Sequence, residues 1–313
     1  MRLAPFAWLV LGWNVVVILW GAFVRATGSG AGCGAHWPLC NGEVVPRAPA
    51  LATMIEFTHR ATSGIALVLV LALCLWVFRE RPNGHPARRA AGASVLFILI
   101  EAAVGAGLVL FRLVGENDSV ARALFMAGHL ANTFVLLACL TLAAHWSATS
   151  APLRREAVSR FRWVFAAGAI ALVGVGKSGA VAALGDTLYP AQSLLGGLAQ
   201  DVSPTAHFLV QLRLAHPILA LAGALLVAFA ASRVLQVTDD AGARRAAWAA
   251  SALTLLQLAG GLLNLALLAP VWMQIVHLLL ADLLWIAFVL LAVRALSLPL
   301  PAPLKEGALA RAA

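Results

Sequence analysis

Long apolar runs alternate with short polar connections along the whole chain. Eight runs stand out, over about 7–26, 53–78, 90–112, 121–146, 160–182, 205–233, 245–268 and 271–295, each close to the ~20 residues a helix needs to cross a bilayer. A membrane β-barrel would instead show short segments of alternating polarity. Backbone groups in lipid must find partners within their own segment, so the pattern predicts an all-α polytopic membrane protein with eight transmembrane helices.

Composition agrees with this reading. The 313 residues are 62% hydrophobic and 11% charged, with a mean hydropathy of +0.91, more apolar surface than a soluble core of this length can hide. The net charge of +9 does not indicate nucleic-acid binding, because the basic residues are spread among the connections. Fifteen of the 22 basic residues fall on one side of the predicted membrane: Arg2, then Arg79 to Arg89, Arg154 to Arg162, Arg233 to Arg245, Arg294, Lys305 and Arg311. The positive-inside rule makes that side cytoplasmic and places both termini there, in the cell (inner) membrane. The first run is too long, and too plainly followed by others, to read as a cleaved signal peptide. The two longest opposite-side connections, GSGAGCGAHWPLCNGEVVPRAP and LGDTLYPAQSLLGGLAQDVSP, are rich in small and turn-forming residues and read as irregular segments.

The chain also resembles itself. WPLCNGEVVP and IEFTHRATSGIAL in the first half match YPAQSLLGGLAQ and LRLAHPILALAGAL in the second. IEAAVGAGLVLF followed by AGHLANTFVLL matches LQLAGGLLNLAL followed by IVHLLLADLLW. These matches align His59 with His216, His129 with His277, and Glu101 with Gln257. They predict two pseudo-symmetric four-helix bundles, residues 1–150 and 151–313.

Of the eight histidines, His85 and His145 fall at cytoplasmic helix ends and read as solvated polar residues, and His36 and His207 fall near the outer surface. His59, His129, His216 and His277 each lie about two turns into an even-numbered run. An intramembrane histidine is costly enough to suggest function, although any one alone is equally a helix–helix hydrogen bond. Four at matching depth, two per half, suit a planar iron porphyrin with axial imidazoles. Zinc is less suited, because the second half supplies no cysteine or carboxylate cluster to complete its ligands. His59 with His129, and His216 with His277, are therefore the candidate metal ligands.

The halves differ three residues before the first histidine of each pair, where Glu56 stands in one and Arg213 in the other. Glu56 lies on the same helix face as His59 and reads as a carboxylate that accepts a proton or stabilises positive charge. The alternative is an ion pair with Arg60 or Arg25. Arg213 reads as a propionate-binding guanidinium. Cys33 and Cys40 bracket GAHWPL on the oxidising face and read as a disulfide, either a staple for the loop or a redox-active pair. Cys74 and Cys139 read as small buried side chains.

VRATGSGAGCGAHWPLCNG followed by IEFTHRATSG resembles the first-half signature of the heme A synthases, and eight spans with four histidines match that family's architecture across essentially the whole chain. The resemblance implies oxidation of a methyl group of heme O to the formyl group of heme A, for use by terminal oxidases. It implies that His59 and His129 bind substrate heme O. His216 and His277 would ligate a heme b cofactor, Glu56 would be the catalytic carboxylate, and Cys33–Cys40 the outer-loop disulfide. Its implied partners are membrane lipid, heme O synthase and the terminal oxidase assembly pathway. The chain lacks a second cysteine pair in its later outer loop, so a mechanism needing two pairs does not transfer. The rival readings are a di-heme transmembrane electron-transfer cytochrome b and a transporter; parallel repeats weaken the latter.

Overall fold

The computed structural model describes residues 2–299; Lys305 and Arg311, counted above on the basic side, lie outside them. All named elements among the described residues are helical, and eight helices are long and apolar enough to cross a membrane. These are α1 (Leu3–Ala26), α2 (Leu51–Glu80), α3 (Pro86–Leu110), α4 (Val120–Ala148), α5 (Arg155–Leu188), the span Phe208–Leu235, α9 (Ala241–Ala266) and α10 (Val271–Leu296). This is a multi-pass membrane protein.

Helix starts follow local chemistry. His85 caps α3 through Nδ1, with Pro86 at the first position, where a missing N–H costs nothing. The Ser119 hydroxyl and the Asp240 carboxylate accept from backbone N–H groups at the starts of α4 and α9.

The sixth span differs from the single run that was expected. It consists of α7 (Phe208–Gln211), a 3-10 turn (Leu212–Leu214) and α8 (Ala215–Leu235). Pro217 supplies the reason: it donates no hydrogen bond and its ring crowds the carbonyl four residues back, at Arg213. The matching first-half stretch has no proline, and α2 runs unbroken. A further short helix, α6 (Leu194–Asp201), occupies the later outer connection, which the sequence had suggested was irregular.

Each long helix packs on the next: α1 on α2, α2 on α3, α3 on α4, with α4 returning to α1; then α5 on α8, α8 on α9, α9 on α10, with α10 returning to α5. α4 and α10 also pack on each other across the middle. There the Trp285 indole donates to the Phe134 carbonyl at 2.6 Å and stacks on the Phe134 ring at 5.1 Å. Phe288 lies against Gly168, where a Cβ would come within 2.6 Å of its ring. One hydrophobic core thus runs through both halves. His145 departs from the solvated expectation: it is buried on α4, among the helices that form this central contact.

Candidate functional site

Glu56, His59 and Arg60 lie on consecutive turns of α2. Glu56 is only 3% exposed. Its Oε2 accepts from the backbone N–H of Cys33 at 2.8 Å, and its Oε1 accepts from Arg60 Nη2 at 2.5 Å. Arg60 also donates to the carbonyls of His36 and Leu39 at 2.7 and 2.6 Å. Of the two ion-pair partners open to Glu56 from sequence, Arg60 is the one realised. Cys33 and Cys40 form a disulfide, and the loop they close is seated directly on α2. The Thr53 hydroxyl donates to the Gly32 carbonyl at 2.8 Å. A Cβ at Gly32 would meet the Ala52 backbone at 2.5 Å, so only glycine allows this approach. The carboxylate and the disulfide loop are therefore one unit.

Arg25 turns the other way. It leaves α1 and donates to the Ala183 carbonyl at 2.7 Å, the Thr187 hydroxyl at 2.6 Å and Gln274 Oε1 at 2.7 Å, joining the first helix to α5 and α10.

The four intramembrane histidines are each half-buried. His216 and His277 face one another with ring centroids 6.3 Å apart and planes at 87°. Two imidazoles on opposite sides of one metal ion, each at the ~2 Å metal–nitrogen distance usual for histidine, would put their centroids about 6 Å apart. The Ser178 hydroxyl lies 3.0 Å from His216 Nδ1 and leaves Nε2 for a ligand. Gln257 Nε2 lies 3.3 Å from His277 Nε2, so this amide must turn aside for an ion to bind there. His59 and His129 lie within electrostatic reach of each other. The Nδ1 atoms of His59, His129 and His277 are buried without hydrogen-bond partners. The facing rings of His216 and His277, and the unpartnered nitrogens of His59 and His129, fit a planar iron porphyrin. Among the described residues, no group of three or more His, Cys, Asp or Glu is placed to hold a metal ion.

Glycine makes room for three of these rings. A Cβ at Gly21 on α1 would lie 2.9 Å from the His59 ring, one at Gly179 on α5 would lie 2.9 Å from that of His216, and one at Gly261 would lie 3.1 Å from that of His277.

Arg213 is held between two carboxylates, with Nη1 2.9 Å from Asp186 and Nε 2.9 Å from Asp201 at the end of α6. Its Nη2 is buried and unpartnered, which leaves one edge of the fork free. Burial raises the Asp201 carboxyl above its ordinary range, and Arg213 opposes the rise. Nearby, the Tyr189 hydroxyl donates to Asp118 at 2.6 Å while its ring stacks on His207 at 5.0 Å. That bond holds the Asp118 carboxyl below its usual range and the phenol above its own. It ties the connection after α3 to the end of α5.

Sequence reasoning did not single out Glu101. Its Oε1 lies 3.4 Å from His129 Nδ1, and it accepts from Asn132 and Thr133, both at 2.5 Å. The signal was the internal repeat, which aligned Glu101 with Gln257, the residue that reaches His277.

The COX15-CtaA family model, described as cytochrome oxidase assembly protein, matches residues 4–289. A protoheme IX farnesyltransferase of Thermus thermophilus is 52% identical over 295 residues, which are 94% of this chain and 48% of that protein. A heme A synthase of Exiguobacterium sibiricum is 36% identical over 141 residues, 45% of each chain. Another, from Alkalihalophilus pseudofirmus, is 40% identical over 106 residues, 34% of this chain and 35% of its own. The chain spans about half the length, or less, of these curated relatives.

Proposed function

Because this chain belongs to the COX15-CtaA family of cytochrome oxidase assembly proteins, we propose that it oxidises the methyl group of heme O to the formyl group of heme A. The facing imidazoles of His216 and His277, 6.3 Å apart, carry this reading, since they suit an axially ligated heme. The names of the heme A synthase relatives support it. The relative that matches nearly the whole chain is named for farnesyl transfer to protoheme IX, yet this chain covers 48% of it. Histidine pairs suit an iron porphyrin and offer nothing to a prenyl donor.

In this proposal residues 1–150 and 151–313 form two pseudo-symmetric bundles with both termini cytoplasmic. The first receives heme O between His59 and His129. The second holds heme b between His216 and His277, with the free edge of Arg213 available to a propionate. Bound heme b would supply one-electron redox capacity. Glu56, three residues and about 4.5 Å of helix rise from His59, holds or moves a proton as the methyl carbon is oxidised through the alcohol level. Gly21 and Gly179 leave the two α2- and α8-borne imidazoles their room. Heme O comes from a farnesyl transfer to protoheme, so the enzyme of that step is the proposed upstream partner, and oxidase assembly the downstream consumer.

Identifying by mass the pigments extracted from purified protein tests the reading. Heme b together with heme O or heme A supports it. Heme b alone supports a di-heme electron-transfer cytochrome, and no heme overturns both.

A further inference from the structure

The two histidine sites differ most in the residues around the second histidine of each pair. Glu101 on α3 places Oε1 3.4 Å from His129 Nδ1, a close approach that stops short of a hydrogen bond and leaves that nitrogen unpartnered. Two donors from α4 hold that carboxylate, Asn132 Nδ2 at 2.5 Å and the Thr133 hydroxyl at 2.5 Å. The Thr133 hydroxyl also lies 3.0 Å from the His129 carbonyl, which fixes it to the same turn. In the second half all three positions change: Gln257 replaces Glu101, and Leu280 and Ala281 stand three and four residues after His277. Gln257 reaches His277 with its amide, at 3.3 Å from Nε2. One half thus sets an anion braced by two donors beside the Nδ1 of its histidine, and the other a neutral amide without those braces beside Nε2.

We propose that Glu101 is a positioning residue for the first heme site: its carboxylate, fixed by Asn132 and Thr133 beside the unpartnered Nδ1 of His129, takes up the Nδ1 proton when the ring presents Nε2 to a bound iron, and so makes His129 the more electron-donating ligand. The proposal rests on the reading of the histidine pairs as iron ligands. A carboxylate that accepts from the far nitrogen of a ligating imidazole fixes its tautomer and raises its basicity. Hydrogen bonding around axial ligands is one of the protein's levers on heme potential. The substrate heme is then held with the lower potential, and the heme between His216 and His277 with the higher. Glu101 does this through His129 and need not touch the reacting methyl group.

The test uses the full-length protein in detergent, loaded with heme O, with redox titration and low-temperature electron paramagnetic resonance as readouts. Glu101→Gln keeps the size and removes the charge. It should raise the midpoint potential of the first-site heme and shift its g values, leaving the second-site heme unchanged. If E101Q releases heme O, Thr133→Val, which keeps the carboxylate and removes one of its braces, carries the same test with a smaller upward shift. His129→Ala separates the two layers of the argument. Heme O retained in that variant overturns the ligand reading itself. Heme O lost from it, together with unchanged potential and g values in E101Q or T133V, overturns the role of Glu101 alone.

Discussion

Replacing Glu56 tests the proposed chemistry and the architecture together, and the choice of replacement separates them. The carboxylate accepts from the buried Cys33 N–H and from Arg60. Glu56→Ala leaves the Cys33 N–H without an acceptor, at about 1–3 kcal/mol, and breaks a buried ion pair, a class of change that costs roughly 3–5 kcal/mol. Arg60 keeps its two loop carbonyls, so the loss falls at the lower end of that range. Glu56→Gln keeps an oxygen for Cys33 but turns its NH2 toward the Arg60 donors, so the bonds from Arg60 are lost, at about 1.5–3 kcal/mol. Against these modest costs, a positioned proton-transfer group contributes typically ~10²–10⁴-fold in rate.

E56Q should therefore keep an intact Cys33–Cys40 disulfide and its bound heme b while heme A output falls by about two orders of magnitude or more. Heme O or its hydroxylated product should accumulate. E56A should show the same block with a lower unfolding temperature and a loop that is cut faster by protease. The assay is mass analysis of extracted pigments, with thiol alkylation and the visible spectrum as controls for loop and cofactor. Heme A at the wild-type rate from E56Q would refute the catalytic role and leave Glu56 as a loop anchor.

Other residues give separate outcomes. Gly21→Ala puts a Cβ within 2.9 Å of the His59 ring, overpacking that costs about 1–3 kcal/mol; heme O affinity should fall roughly tenfold or more, and unchanged affinity would show that the ring is free to move. Arg25→Ala removes three hydrogen bonds between α1 and the second half, and should cost about 3 kcal/mol in thermal unfolding through the acceptors left behind. Arg213→Met should release α6 from the 3-10 turn before α8 and lower heme b content, and heme A output per bound heme b should stay unchanged. Asp118→Asn should lower the ionisation pH of Tyr189, the chain's single tyrosine. The phenol is raised because it donates to the Asp118 carboxylate, so the wild-type bond persists as pH rises past the ordinary tyrosine range; phenolate absorbance reads it directly.

Much of the fold was legible because lipid imposes one rule on every span: about 20 apolar residues with their backbone bonds satisfied internally. The same rule hides the ends. α5 runs Arg155–Leu188, beyond both edges of its apolar run, because helix continues into water wherever no breaker stands. The 3-10 turn before Pro217 was marked by the proline, but its strength as a break depended on the backbone around Arg213. α6 escaped notice because LLGGLAQD is short and carries two glycines. The histidines were legible as a set because they recur at one depth. Their neighbours were not, since Glu101, Gln257 and Ser178 sit on other helices and only packing brings them to the rings.

The comparison of Glu56 with Arg213 has a different meaning once both are placed. From sequence, a carboxylate in one half and a guanidinium in the other suggested one reactive site and one holding site. In the structure each charge is spent in a similar way, on fastening its span to the connection above it: Glu56 to the disulfide loop through Cys33 and Arg60, Arg213 to α6 and the end of α5 through Asp201 and Asp186. The sign is inverted and the tie is kept. Their difference in charge alone therefore does not mark Glu56 as the reactive group. What sets it apart is that it accepts from the main chain of the cysteine loop, so any rearrangement at Cys33 moves the carboxylate with it. The difference in ligand environment lies deeper, at Glu101 and Gln257, where the partner of a histidine changes from an anion to a neutral amide and no connecting loop is involved.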